Sequence, residues 1–267
     1  MEPQLIKSFI KRLFKPNPIS FLMDLSVYRL GMTVKPVTES KEIKWGEITQ
    51  MIPITGFARK LPFDSKKQKE VECIPTISRL IKEKRLIAYQ YNELQFENML
   101  GSQGLRNVKG DLFQDIDFEQ VEPAIDRSYL GGMTLSQCVD RKDFIRFCDF
   151  LLSLEPEKII NFEEVRSLLP EFQRANLKNL DRFKDICEHL PRKHFPDVFH
   201  LWTAETNGLD YFLTNDTKFI NVMTKTKQID LPTPPITPSG LLNILRVKKR
   251  DPMPIEDYNF HNLFEGS

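Results

Sequence analysis

Three aspartates stand where apolar segments begin or end, the positions at which a folded chain can bring distant carboxylates together. Asp24 closes the run ISFLMD, Asp197 opens a helix after Pro196, and Asp216 comes directly after an apolar strand read at Tyr211 to Thr214. A fourth acid, Glu93, lies at the start of helical spacing in YNELQFENML, with Asn92 as the cap and Glu97 one turn further along the same face. Carboxylates within about 4 to 6 Å raise one another's pKa and repel. A hard dication such as Mg²⁺ or Mn²⁺, which takes oxygen ligands, removes that repulsion. With a phosphodiester supplying further oxygens, such a site suits the orientation and acidification of a water for in-line attack, with neutralisation of the leaving oxygen. The chemistry these residue types favour is metal-dependent phosphodiester hydrolysis.

The elements that must position them follow from periodicity and punctuation. ISFLM reads as a buried strand, Ile77, Leu80 and Ile81 mark one face of a helix from Pro75 to about Lys84, and RLIAY is a second strand. A helix from Asp197 to Asn207 rises about 15 Å at 1.5 Å per residue. A strand of five or six residues returns about 17 to 20 Å. If Gly208 reverses the chain, Asp216 comes back to the end of the domain where Asp197 began. KQIDLPTPPITPSGLLNIL then supplies a last strand, a proline-rich approach and a short helix. Alternating strands and helices predict an α/β domain with a mostly parallel sheet covered by helices, and such sheets place ligands at the carboxyl ends of their strands.

DVFHLWTAETNGLDYFLTNDTKF closely resembles the carboxyl half of PIN-domain nucleases. In that family an aspartate begins a helix holding a Thr-Ala or Ala-Ala pair, a glycine follows, and an apolar strand ends in Thr-x-Asp. The matching positions are Asp197, Thr203-Ala204, Gly208, Tyr211 to Leu213 and Thr214-Asn215-Asp216. ITPSGLLNIL is similar to the family's closing segment, and FLMDLSV to its opening strand, with Asp24 and Ser26 at the matched positions. The resemblance is specific over residues 195–245, looser over 18–30, weakest over 75–97, and covers no insertion. It implies a three-layer α/β/α PIN-like domain and an active site of Asp24, Glu93, Asp197 and Asp216 around Mg²⁺ or Mn²⁺. Thr214 would position water or metal through its hydroxyl, with Ser26 in a lesser similar role. It also implies endoribonuclease activity on single-stranded RNA, with DNA as an alternative substrate and an inhibitory protein or antitoxin as a possible partner. The second acid is Glu93 or Glu97; NEL matches best at Glu93.

Other readings compete at each position. Asp197 suits a helix cap, Asp216 an Asx-turn or a helix start, and Asp24 a cap of the turn after it. His200 follows Asp197 by three residues, so it either approaches the substrate or metal, or fills the core as a buried helix histidine. Trp202 and the apolar series Phe144, Phe147, Phe150, Leu151, Phe162, Val165, Leu168, Leu169, Leu177, Leu180, Phe183, Ile186 and Leu190 read as core. Catalytic silence is the rival in another class: a PIN-like module that binds RNA or protein through its insertions.

The 267 residues fit one elaborated domain at 1–250, with insertions at about 31–74 and 98–192 and a tail at 251–267. Residues 35–72 have an irregular pattern, and 101–140 read as loop-rich. With 38 Lys and Arg against 37 Asp and Glu, a net charge of +1 provides no global attraction to a polyanion. Substrate grip falls to local clusters: nine basic against six acidic residues over 28–72, and RVKKR at 246–250. Cys73, Cys138, Cys148 and Cys187 have no CxxC spacing, which disfavours zinc and a disulfide framework and points to a reducing cytoplasm. No apolar run reaches membrane-spanning length. MEPQLIKSFIKRLF has an apolar helical face ringed by lysines, suited to an accessory helix on this domain or to a membrane surface or partner.

Overall fold

The computed structural model describes residues 18–60, 64–94, 111–128, 140–225, 229–254 and 259–262. Its strands, in chain order, are β1 (Ile19–Met23), β2 (Val34–Trp45), β3 (Ile48–Arg59), β4 (Leu86–Gln90), β5 (Glu119–Gln120), β6 (Tyr211–Leu213), β7 (Pro235–Ile236) and β8 (His261–Asn262). Its α-helices are α1 (Leu25–Gly31), α2 (Ser65–Val71), α3 (Ile74–Lys82), α4 (Arg141–Ser153), α5 (Pro156–Ile159), α6 (Glu163–Leu168), α7 (Glu171–Lys178), α8 (Leu180–Glu188), α9 (Phe195–Thr206), α10 (Thr217–Lys225) and α11 (Pro238–Ile244).

The central sheet has the order β5-β4-β1-β6-β7, and every neighbouring pair in it is parallel. From β1 the chain builds outward through β4 and β5, then crosses back and builds outward on the other side through β6 and β7. The reversal falls between β1 and β6, and the crevice at their carboxyl ends is the ligand position of an open α/β sheet.

Alternation along β1 explains why both faces are covered. Phe21 and Met23 enter one core with Val27, Ile74, Ile77, Leu80, Ile81, Leu241 and Leu242. Leu22 enters the other, with Tyr91, Phe199, Trp202 and Phe212. A strand buried on both faces reads as a continuous apolar run, as ISFLM does, and each large side chain buried in this way contributes about 1.5 to 3 kcal/mol.

Residues 35–72 depart from the irregular pattern expected of them. β2 and β3 form a long antiparallel hairpin with Trp45 opposite Ile48, turned by Gly46 at φ 63°, the positive φ that a two-residue hairpin loop with glycine first requires. Its outer half is exposed on both faces, with Trp45 86% exposed. No core selects alternating residues there, so the period-2 signal is weak. In the second expected insertion, α4 to α8 are helical as read, and Phe144, Phe147, Leu151, Leu177, Leu180, Phe183 and Ile186 are core. Phe150, Phe162 and Leu168 are exposed instead. Phe150 lies six residues after Phe144, about 600° around a helix at about 100° per residue, and so misses the stripe that Phe144, Phe147 and Leu151 share.

Beyond residue 250, the Asp251 N–H donates to Thr76 Oγ1 at 2.8 Å and its carboxylate meets Arg79, while β8 pairs antiparallel with β3. Cys73, Cys148 and Cys187 are buried free thiols; burial pushes Cys73 up to about 11 and raises the other two. Glu97, Cys138, the YLGGMT stretch and the amphipathic N-terminal segment lie outside the described residues. Among the described residues no helix is long and apolar enough to cross a membrane.

Candidate functional site

Asp24 is the first residue past β1, and its backbone N–H donates to Leu213 O at 2.9 Å, which ties the ends of β1 and β6 together. Its carbonyl accepts from Val27 and Tyr28 as α1 begins, yet its carboxylate caps nothing. The carboxylate is held by two hydroxyls instead. Ser26 Oγ donates to Oδ2, and Thr214 Oγ1 donates to the same oxygen at 2.8 Å. Each hydroxyl oxygen in turn accepts a backbone N–H from the end of β6: Ser26 from Asn215 at 2.9 Å, Thr214 from Asp216 at 3.1 Å. Thr214 is 1% exposed, so its hydroxyl aims Asp24.

Asp197, expected to open the helix, is instead the third residue of α9, which begins at Phe195 with His194 as its N-cap residue and ends ahead of Gly208. The Gly208 N–H donates to Glu205 O and the Leu209 N–H to Ala204 O, with Gly208 at φ 66°; this is the glycine-terminated helix end in which a left-handed residue lets two amides close on the last carbonyls. Asp197 Oδ2 accepts from Arg141 at 3.1 Å and lies 3.4 Å from His194 Nδ1. Asp216 caps α10, with Oδ1 accepting from the Lys218 and Phe219 N–H groups at 2.9 Å each. One ligand atom from each of His194, Asp197 and Asp216 falls within 4.8 Å of the others, so these side chains are positioned to coordinate a divalent cation.

Electrostatics mark the same place. The Asp197 carboxyl is pushed up to about 6: burial is the main cause, the charges of Asp24 and Asp216 act in the same direction, and Arg141 and His194 oppose it. The structure therefore brings Asp24, Asp197 and Asp216 into one electrostatic neighbourhood at the carboxyl edge of β1 and β6. Arg141, on the first turn of α4, is 60% exposed at the rim and partly offsets the charge there.

Glu93 has a different partner. Its Oε1 accepts from Arg127 Nε at 2.6 Å, the side chains are 10% and 1% exposed, and the guanidinium lies 4.2 Å from the centre of the Phe144 ring. Arg127 comes from the segment read as loop-rich. His200 is a core residue: it is 3% exposed, its Nδ1 is bonded to the Tyr91 hydroxyl, and Phe144 and Phe212 lie beside its ring. Burial is the main cause that lowers its pKa to about 3, with Arg141 and Arg127 adding to it.

His194 and Arg141 are the residues that sequence reading missed. For His194 a signal existed, because HFPD puts an imidazole one helical turn before Asp197 at the entrance to the helix. For Arg141, 56 residues from Asp197 in sequence, there was none. Comparison with protein-family models, curated proteins and solved structures finds no match to this chain.

Proposed function

We propose that the protein is a metal-dependent nuclease of PIN-like three-layer α/β/α fold that hydrolyses phosphodiester bonds in RNA. One observation carries this reading: Asp197 and Asp216 offer ligand atoms within 4.8 Å of each other, and Asp24, from the other end of the chain, acts electrostatically on Asp197 at the carboxyl edge of β1 and β6, where burial first and the neighbouring carboxylates second leave Asp197 reluctant to ionise. A partly buried like-charge cluster is unfavourable in a purely structural role, and its carboxylate oxygens suit Mg²⁺ or Mn²⁺.

Asp24, Asp197 and Asp216 would hold the ion. When bound, it supplies Lewis acidity for attack of water on the phosphorus and charge neutralisation on the leaving oxygen. Ser26 and Thr214 keep Asp24 aimed into the crevice by occupying Oδ2. Asp216 divides its work, since Oδ1 caps α10 and thereby holds the carboxylate rigid. Arg141 at the rim is placed to receive a phosphate oxygen as the substrate arrives. Glu93, expected as a ligand or as orienter of the water, is given no part in holding the ion, because it is buried and its carboxylate is paired with Arg127.

That pairing favours a second reading, a catalytically silent PIN-like module that binds RNA or a protein such as an inhibitor. A cleavage assay separates the two. Single-stranded and structured RNA, and matched DNA, are incubated with purified protein and Mg²⁺, Mn²⁺ or chelator, beside Asp24→Asn and Asp197→Asn variants whose fold is checked by circular dichroism. Metal-dependent RNA cleavage that both variants lack supports the nuclease reading. Binding with no cleavage under any metal supports the silent module, and equal cleavage of DNA removes RNA as the specific substrate, since carboxylates alone do not read a 2′-hydroxyl.

A further inference from the structure

We propose that His194 is a fourth ligand of this metal site and that its nitrogen tilts the site from Mg²⁺ towards a divalent transition ion such as Mn²⁺. The inference rests on the metal-site reading above and adds to the oxygen set a donor of another element.

Local structure places the imidazole. His194 ends the 3₁₀ turn Arg192–His194 and is the N-cap residue of α9, so it stands one turn before Asp197 on the side of the helix that meets the crevice. It is 6% exposed, and its ring lies against Phe219 with centroids 6.1 Å apart, which limits the directions in which it can turn. Its Nδ1 is 3.4 Å from Asp197 Oδ2, and the donors of His194, Asp197 and Asp216 all lie within 4.8 Å of one another. Ligands at about 2.1 Å from an octahedral ion are separated by about 3 Å when adjacent and about 4.2 Å when opposite. The observed spacing is within a small side-chain adjustment of both.

His200 supplies the contrast within the same helix. Its Nδ1 is taken by Tyr91 and its ring is enclosed by aromatic side chains, so it has the chemistry of a ligand without the position. His194 has both. Mg²⁺ prefers oxygen throughout and dehydrates reluctantly, whereas imidazole suits later first-row ions and is accepted by Mn²⁺ alongside carboxylates. One nitrogen among three carboxylates thus discriminates between two cations that an all-oxygen site would treat more alike.

The test uses the full chain stripped with chelator and then titrated separately with Mn²⁺ and Mg²⁺ by calorimetry. Pulsed electron paramagnetic resonance of the Mn²⁺-loaded protein reads nitrogen coupling, with [¹⁵N]histidine-labelled protein identifying its source. The expected result is a histidine nitrogen coupled to Mn²⁺ that is lost in His194→Gln, with Mn²⁺ affinity falling at least about tenfold, the effect usual for loss of a group that shapes a metal site, and Mg²⁺ affinity changing less than about threefold. Should His194→Gln fold poorly, the labelled wild-type spectrum decides alone. Tight Mn²⁺ binding without histidine coupling, or an equal loss for both ions, overturns the role of His194 and leaves the metal site standing. Wild-type protein that binds neither ion overturns the metal site itself, and this inference with it.

Discussion

Asp24, Asp197 and Asp216 are each held by a different local device: paired hydroxyls, a rim arginine with an imidazole, and the amides of a helix start. Each device fixes the direction of a carboxylate without neutralising the cluster, which suits a site that awaits a cation. Glu93 differs, because a nearly fully buried guanidinium compensates it. Removing one partner of such a pair leaves the other's charge in the core, at a cost of about 3 to 5 kcal/mol. Glu93→Ala and Arg127→Ala are therefore both expected to lower unfolding free energy by that amount in urea titrations. The double variant Glu93→Leu/Arg127→Met should recover much of the loss. Additive losses in the double variant would rule out the coupling.

Helix α9 and strand β6 work as one device, a rise and a return joined at Gly208. A Cβ on Gly208 meets nothing within 4 Å, so the only obstacle to substitution is its φ of 66°. Gly208→Ala should cost about 1 to 2 kcal/mol, and Gly208→Asn less, because asparagine tolerates the left-handed region. Chemical denaturation of the two variants measures the difference, and equal stability of alanine and wild type would count against this account of the helix end. At this scale the return strand is shorter than its apolar run, since β6 pairs only over Tyr211–Leu213. Thr214 leaves the ladder on the β1 side to donate its side chain to Asp24. The hairpin of β2 and β3 shows the limit of periodicity as a signal, because an element with two wet faces need not alternate.

For the molecule as a whole, 38 positive and 37 negative side chains leave stability to depend on pH through individual buried groups. His200 is the clearest. Its pKa of about 3 in the fold lies well below the ordinary 6.5. Above pH 6.5 neither state is protonated and its contribution is fully present. As the pH falls below 6.5 the unfolded chain takes up a proton that the folded one refuses until about pH 3, so stability is lost across that window, on the order of 5 kcal/mol in total. Unfolding free energies measured between pH 7 and 4 should fall more steeply for wild type than for His200→Gln. Parallel curves would show that His200 is protonated without unfolding.

What was legible in the sequence was whatever depends on neighbours along the chain. Strand β1, the helix with Pro196 in its first turn, the glycine that stops it, and the acids at the segment ends all follow from local punctuation and from apolar runs long enough to need burial. A mostly parallel sheet with ligands at its carboxyl edge followed from element order, whereas the strand order and the switch point between β1 and β6 came only with the structure. What only the tertiary structure decided was which side chain meets which across long separations. Arg127 claims Glu93, Arg141 reaches Asp197, Tyr91 takes His200 and leaves His194 at the crevice. A carboxylate or an imidazole has the same composition in every context, and the cation or hydroxyl packed against it is chosen by the folding of segments whose own patterns carry no trace of that partner.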